Sequence, residues 1–203
     1  MVEKIIEELR KDIANLENEA YLSEADFQFA FARKAEELGA KRVIVEFPYT
    51  FEKDKVRKHI DVFFEYEDEE YYVELKYKTK CFGTATRLGK DGFVLSNQAA
   101  INDAMFYFRK DIERLERLLE EKNGDKVNAY CVFLTNNHLV WKPHKGGGVA
   151  KVQLCDSIRP GLVEYKKDKE FDIANSYQLD WHDFKKLGDD QVMRYLIVDC
   201  KPR

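Results

Sequence analysis

The most constraining stretch of the chain is a pair of alternating segments joined by an acidic run. The segments are His59-Ile60-Asp61-Val62-Phe63-Phe64-Glu65-Tyr66 and Tyr71-Tyr72-Val73-Glu74-Leu75-Lys76-Tyr77-Lys78, with Glu67-Asp68-Glu69-Glu70 between them. Alternation at a period of two predicts strands with two unlike faces, and the short join predicts a hairpin. In the first strand Ile60, Val62, Phe64 and Tyr66 share one face, with Asp61, Phe63 and Glu65 on the other. In the second, Tyr71, Val73, Leu75 and Tyr77 oppose Tyr72, Glu74, Lys76 and Lys78. A turn centred between Glu67 and Asp68 sets Asp61 opposite Glu74. A turn centred one residue later sets Asp61 opposite Lys76. Either register leaves all three charged side chains on one face.

Directly opposed side chains have Cβ atoms only ~4.5–5.5 Å apart. Two ionised carboxylates at about 5 Å repel by roughly 3 kcal/mol at an effective dielectric of ~20. Such a pair needs positive charge nearby. Lys76 is one source, and a divalent metal is a better one, because Mg²⁺ takes carboxylate oxygens and keeps several waters.

Asp61 followed by Glu74-Leu75-Lys76 on the next strand resembles the bipartite motif of the PD-(D/E)XK nuclease superfamily, which includes restriction endonucleases and Holliday-junction resolvases. Ile60 stands where the family name implies proline, a position that varies within the superfamily. The resemblance covers about residues 23–135. It implies an α/β protein with a restriction endonuclease-like core, in which a mixed central sheet is flanked by helices. The site lies on the hairpin, preceded by a helix that often supplies another glutamate and followed by a long helix. The implied activity is that of a Mg²⁺-dependent DNA nuclease, with Mn²⁺ as a substitute. Asp61 and Glu74 are then the metal ligands, with the Leu75 carbonyl as a further one. Lys76 is the catalytic lysine, which orients or activates the attacking water. Many such enzymes pair to cut two strands, so the resemblance also admits a homodimer.

Two more residues enter on this basis. Glu24 lies in the first turn of a helix begun by Ser23, whose side chain caps the amide of Asp26 while Leu22 packs on Phe27. A carboxylate there either complements the helix dipole or faces the hairpin and joins the metal site. Gln98 stands one turn ahead of Ile101, at the start of a long helix. It is either a capping amide or, as in relatives of the superfamily, part of the site. His59 shares a face with Asp61 and reads as structural.

The rest of the chain frames this hairpin. Ile5, Ile6, Leu9, Ile13 and Leu16 mark an amphipathic helix over residues 2–19. The Ser23 helix carries Phe27, Phe31 and Ala35 and stops at Gly39. Lys41–Phe47 reads as a strand ended by Pro48, then a basic loop with Lys55, Arg57 and Lys58. A loop holding Lys78, Lys80, Arg87 and Lys90 among Gly83, Gly89 and Gly92 reads as a mobile groove wall. Ile101 to Leu119 is the long helix, ended at Asn123-Gly124, and Val127–Thr135 is a strand buried on both faces. Trp141 to Gly148 is a flexible basic segment with Lys142 and Lys145, lacking the Gly-Lys-Ser/Thr of a nucleotide P-loop. Residues 193–200 read as a closing strand. With no internal repeat, one domain is expected over 1–203: an N-terminal helix to residue 20, a nuclease-like core over 23–135, and a C-terminal extension over 136–203.

Composition sets limits on this reading. At 203 residues and 44% hydrophobic the chain can build one well-cored domain, and 13% aromatic content opposes disorder. A net charge of −4 confines any DNA contact to local basic patches, for which Lys78, Lys80, Arg87, Lys142 and Lys145 are the candidates. Cys81, Cys131, Cys155 and Cys200 are isolated, and the charged start does not resemble a signal peptide. Both point to a reduced, cytoplasmic protein with no membrane partner. The acidic balance favours a second function: a nuclease-fold protein that cuts nothing and binds nucleic acid or another protein.

Overall fold

The hairpin closes as the first of the two registers requires. Glu67 and Asp68 both have positive φ, 52° and 62°, the pattern of a two-residue turn whose twist matches that of the strands it joins. Tyr66 faces Glu69, and the ladder continues to Val62 opposite Val73. These strands belong to an antiparallel meander of β1 (Lys41–Phe51), β2 (Val56–Tyr66) and β3 (Glu69–Lys78). The computed structural model describes residues 1–17, 19–52, 55–143, 149–188 and 190–203.

After β3 come a small hairpin, β4 (Phe82–Arg87) and β5 (Lys90–Leu95), the helix α3 (Ile101–Lys122), and β6 (Val127–Thr135). β6 pairs parallel with β3, Glu74 beside Cys131, so α3 is the crossover between them. Short strands β7 (Ser157–Ile158), β8 (Gly161–Lys166), β9 (Lys169–Ile173) and β10 (Tyr177–Gln178) precede β11 (His182–Leu187) and β12 (Gln191–Asp199). The result is a mixed six-stranded sheet in the order β1-β2-β3-β6-β12-β11.

Alternation along the sheet divides the core. Val73, Leu75, Tyr77, Val132 and Leu134 meet the apolar faces of α1 (Val2–Ala14) and α2 (Glu24–Glu37). Tyr72, Cys131, Phe133, Leu196 and Val198 meet α3 and the β7–β10 region. Glu74, Lys76 and Lys78 therefore lie on the α3 side. None of the described helices is long and apolar enough to cross a membrane.

Several sequence expectations need correction. Ile60 packs on the α3 side with Phe63, not with Val62 and Phe64. The cause is Glu46, which lies between the pairs Val45–Val62 and Phe47–Ile60 with φ 54°, so the β1–β2 ribbon kinks and its alternation slips. β1 runs through Pro48 because it is an edge strand, where a missing amide costs no ladder bond. The expected basic loop thus begins as strand, Tyr49 pairing with Lys58 and Thr50 with Arg57. The glycine-punctuated loop is the β4–β5 hairpin, turning at Leu88-Gly89 with φ 52° and 73°. α1 ends at Ala14, where Lys185 Nζ donates to the carbonyls of Ile13, Ala14 and Leu16, and Leu16 is 46% exposed. α3 begins at Ile101, leaving Gln98 in the lead-in.

The Ser23 cap forms, its Oγ accepting the Asp26 amide at 3.1 Å. Asp26 reciprocates by accepting the Leu22 amide at 2.9 Å, while Leu22 itself stays partly exposed. Asp26 also receives Arg87 in a bidentate pair, both bonds at 2.8 Å. Arg87 reaches Glu19 at 3.2 Å and stacks over Tyr21, tying β4 to the start of α2. Glu19 is 2% exposed, so Arg87 is its compensating charge. Removing one partner of a buried pair costs about 3–5 kcal/mol. Arg87→Met is expected to lower the unfolding free energy in urea by about 3 kcal/mol, with partial recovery when Glu19→Gln is added; an unchanged midpoint would contradict the network.

Candidate functional site

The β2–β3 ladder ends at Val62–Val73, at the level where Glu46 of β1 takes positive φ. That leaves the inward amides of β3 without strand partners, and a buried amide must find an acceptor. Side chains supply it. Leu75 N–H donates to Asp61 Oδ2 at 2.6 Å, and Tyr77 N–H to Glu24 Oε2 at 2.8 Å. The Asp61 carbonyl accepts Gln28 Nε2 at 2.7 Å, and the same amide reaches Glu46 Oε1 at 3.1 Å. Glu24 and Gln28 are four residues apart on α2, hence on one helix face. The notch between the strands is thus lined with carboxylates. A strand residue projects its N–H and C=O to the same side, so the Leu75 carbonyl also faces the notch.

On the α3 side, Glu74 is 3% exposed and lies under Arg114 and Asp111. Arg114 Nη2 stands 2.6 Å from Glu74 Oε1 and 3.0 Å from Asp111 Oδ1. The contact with Glu74 is off the hydrogen-bond direction, so Glu74 Oε1 has a charged neighbour but no directed donor. Lys76 Nζ sits 3.4 Å from Glu24 Oε1, a long and weak hydrogen bond.

Four carboxylates (Asp61, Glu74, Glu24 and Asp111) therefore face two cations, Lys76 and Arg114. Their proton affinities register the imbalance. Burial lifts Asp61 from 3.8 to about 6, against the opposing pull of the Leu75 amide and Lys76. Burial lifts Glu74 well above the usual carboxylate range despite Arg114, with Asp111 and Asp61 adding to the rise. Asp111 is raised by burial too, partly offset by Arg114 and Lys76. Burial alone would lower Lys76, but Asp111, Glu24 and Asp61 outweigh it and leave the ammonium more firmly protonated than usual.

The cluster meets the surface at its Asp111–Arg114 side. Asp111 and Arg114 line a cleft of about 630 Å³ between β2, α3 and the β8–β9 turn, with Lys58, Arg117 and Lys169 on its walls. Asp61, Glu74, Glu24 and Lys76 do not line the cleft there. Among the described residues no three His, Cys, Asp or Glu side chains are grouped to share an ion as they stand. The donor set nevertheless fits a hard divalent cation on charge and chemistry. With all four carboxylates ionised, they would outnumber Lys76 and Arg114 by two, which one such ion would match, and Glu74 offers a buried oxygen without a directed donor. Mg²⁺ needs only one or two carboxylates when water and substrate complete its shell.

Of the residues picked from sequence, Asp61, Glu74, Leu75, Lys76 and Glu24 come together. Gln98 does not join them: its backbone N–H donates to the Thr79 carbonyl at 3.0 Å, and its buried side-chain Oε1 has no hydrogen-bond partner. Lys78 is half-buried at the end of β3, and Lys80 and Lys142 are exposed. Arg87 is taken up by Asp26 and Glu19. Lys145 lies outside the described residues. Sequence reading missed Asp111, Arg114 and Gln28. The signals were present, because Gln28 follows Glu24 by one helical turn and sits beside Phe27, and Asp111 and Arg114 flank Ile112 in the apolar stripe of α3.

Compared with family models, with curated proteins and with solved structures, the chain finds no match.

A raised carboxyl pKa means that the folded state holds its proton more tightly than the unfolded chain. Stability then falls as pH rises from about 4 to about 6, and the whole cost is present above that window. For a carboxyl lifted from 3.8 to about 6, the cost is roughly 3 kcal/mol. Asn at this position keeps an acceptor for the Leu75 amide. Asp61→Asn is therefore expected to be about 1–3 kcal/mol more stable than wild type at pH 8, with a flatter pH profile in denaturant titrations. A less stable variant at pH 8 would contradict the electrostatic account.

Proposed function

We propose that the chain is a metal-dependent phosphodiesterase acting on DNA, of the PD-(D/E)XK type that its hairpin resembles. The observation that carries this reading is the convergence of Asp61, Glu74, Glu24 and Lys76 at the open end of β2–β3 with more negative charge than its own cations offset. The element order supports it as well: a helix, α2, precedes the β2–β3 hairpin and a long helix, α3, follows it, as the resemblance implies.

Asp61 and Glu74 would hold the cation, with the Leu75 carbonyl as a further ligand. A bound divalent ion supplies Lewis acidity and a water acidic enough to attack phosphorus. The chain's own groups do the remainder. Lys76, kept protonated by its acidic neighbours, is a fixed positive charge and donor facing the oxygens where charge develops, and is not a base. Glu24 holds the Tyr77 amide and positions Lys76, setting the edge of the notch against the helix that carries Glu24. Asp111 and Arg114 form the threshold between the cluster and the cleft.

One observation favours a second reading. Arg114 already stands on Glu74, as it would in a nuclease-fold protein that binds without cutting. Mn²⁺ titration and DNA cleavage separate the two. The catalytic reading expects Mn²⁺ binding in a calorimeter that disappears in Asp61→Asn and Glu74→Gln. It also expects cleavage with Mg²⁺ or Mn²⁺ that drops at least about a hundredfold in those variants and in Lys76→Ala, with circular dichroism unchanged. Wild-type protein that binds no Mn²⁺ and leaves duplex, branched and single-stranded DNA intact would overturn it.

A further inference from the structure

On the α3 side of the sheet, the carboxylate cluster is not the only charged feature. At the end where β3 and β6 finish, a pocket of about 310 Å³ is lined by Lys80, His138, Trp141, Lys142, Asp190 and Arg194. Lys78 lies beside Thr135, and Thr135 beside Arg194, so Lys78 and Arg194 occupy one row across three strands. Arg194 shares the parity of Leu196 and Val198, which face α3, as do Lys76 and Lys78. From Lys76 the pocket is therefore about 7 Å along the strand and about 10 Å across two strand spacings.

The pocket is rigidly built. Asn136 accepts the Lys80 amide at 2.7 Å and donates to the Lys80 carbonyl at 3.1 Å and to Gln191 Oε1 at 2.8 Å. Gln191 in turn donates to the Cys81 carbonyl at 3.1 Å. The turn that carries His138, Trp141 and Lys142 is closed by Asn137, which accepts the Leu139 amide at 3.1 Å, and by the Lys142 amide on the His138 carbonyl at 3.0 Å. Arg194 is held by Asp183 at 2.7 Å and lies over the Trp141 ring. Three segments distant in sequence are thus stitched together so that their cationic side chains meet.

We propose that this pocket binds the terminal phosphate of a nucleic-acid strand. A phosphomonoester carries close to two negative charges at neutral pH and three strong acceptor oxygens, whereas a backbone phosphodiester carries one charge. Among the described residues Asp190 also lines the pocket and Asp183 pairs with Arg194, so Lys80, Lys142 and a His138 protonated on binding are the charges left to match the former. The state of His138 supports this: burial, then Lys80 and Lys142, lower its pKa, so positive charge is already crowded there. The choice of a nucleic-acid strand rests on the proposed function, through the shared face and the short span to Lys76, but the pocket itself requires no cleavage.

The test uses the whole chain in EDTA and short fluorescent single strands with a 5′-phosphate, a 3′-phosphate or neither. Anisotropy titrations are expected to show one phosphorylated end bound at least about tenfold more tightly than the bare strand. That ratio should fall to about one in Lys80→Gln/Lys142→Gln and persist in Asp61→Asn. The His138 Hε1 resonance should report a raised pKa when the preferred strand is bound. Equal affinity for all three strands, or a preference that survives the double variant, would overturn the pocket. Mg²⁺-dependent cleavage is scored separately: a phosphate preference without cleavage defeats only the catalytic reading, and cleavage without a preference defeats only this one.

Discussion

The structure around the candidate site depends on one break in hydrogen bonding. β2 and β3 pair as far as Val62–Val73 and then part, and the amides of Leu75 and Tyr77 would be orphaned without the carboxylates of Asp61 and Glu24. Fold and site thus use the same atoms. Asp61 closes the meander and faces the notch, and Glu24 pins α2 against β3 while standing within reach of Lys76. A side chain that substitutes for a missing strand partner cannot drift, and its second oxygen remains available to something else.

The second constraint is electrostatic. Burying Asp61, Glu74 and Asp111 near one another raises all three in pKa, and Arg114 with Lys76 does not offset them. A solvated charged face would relax this by turning outward. Here Glu74 cannot, because on β3 it is buried beneath Arg114 of α3 with Cys131 of β6 beside it. Retaining such a cluster at a cost to stability is the pattern expected where binding, not folding, needs the charges.

The hairpin was legible from sequence because two signals coincided: alternation along both segments, and a join of only four acidic residues between them. Asp61, Glu74 and Lys76 followed by arithmetic. Glu24 was placed by its cap residue, Ser23. What could not be read depended on distant context. Nothing in Val45-Glu46-Phe47-Pro48 marks Glu46 for a left-handed conformation, so the slip that sends Ile60 to the α3 side was invisible. Pro48 looked like a terminator because edge position is a property of the sheet, not of the residue. Arg87 looked like a free cation in a loop, since Asp26 is 61 positions away in sequence. Asp111 and Arg114 resembled an ordinary surface pair on a helix until β3 placed Glu74 beneath them.

The proposal at stake is that the notch between β2 and β3, short of positive charge, would take a divalent cation to supply it. Anomalous scattering from crystals soaked in Mn²⁺ tests this most directly. The account predicts a peak bonded to Asp61 and Glu74, with the Arg114 guanidinium withdrawn from Glu74. Density confined to other carboxylates, with Arg114 still seated on Glu74 at saturating Mn²⁺, would contradict it.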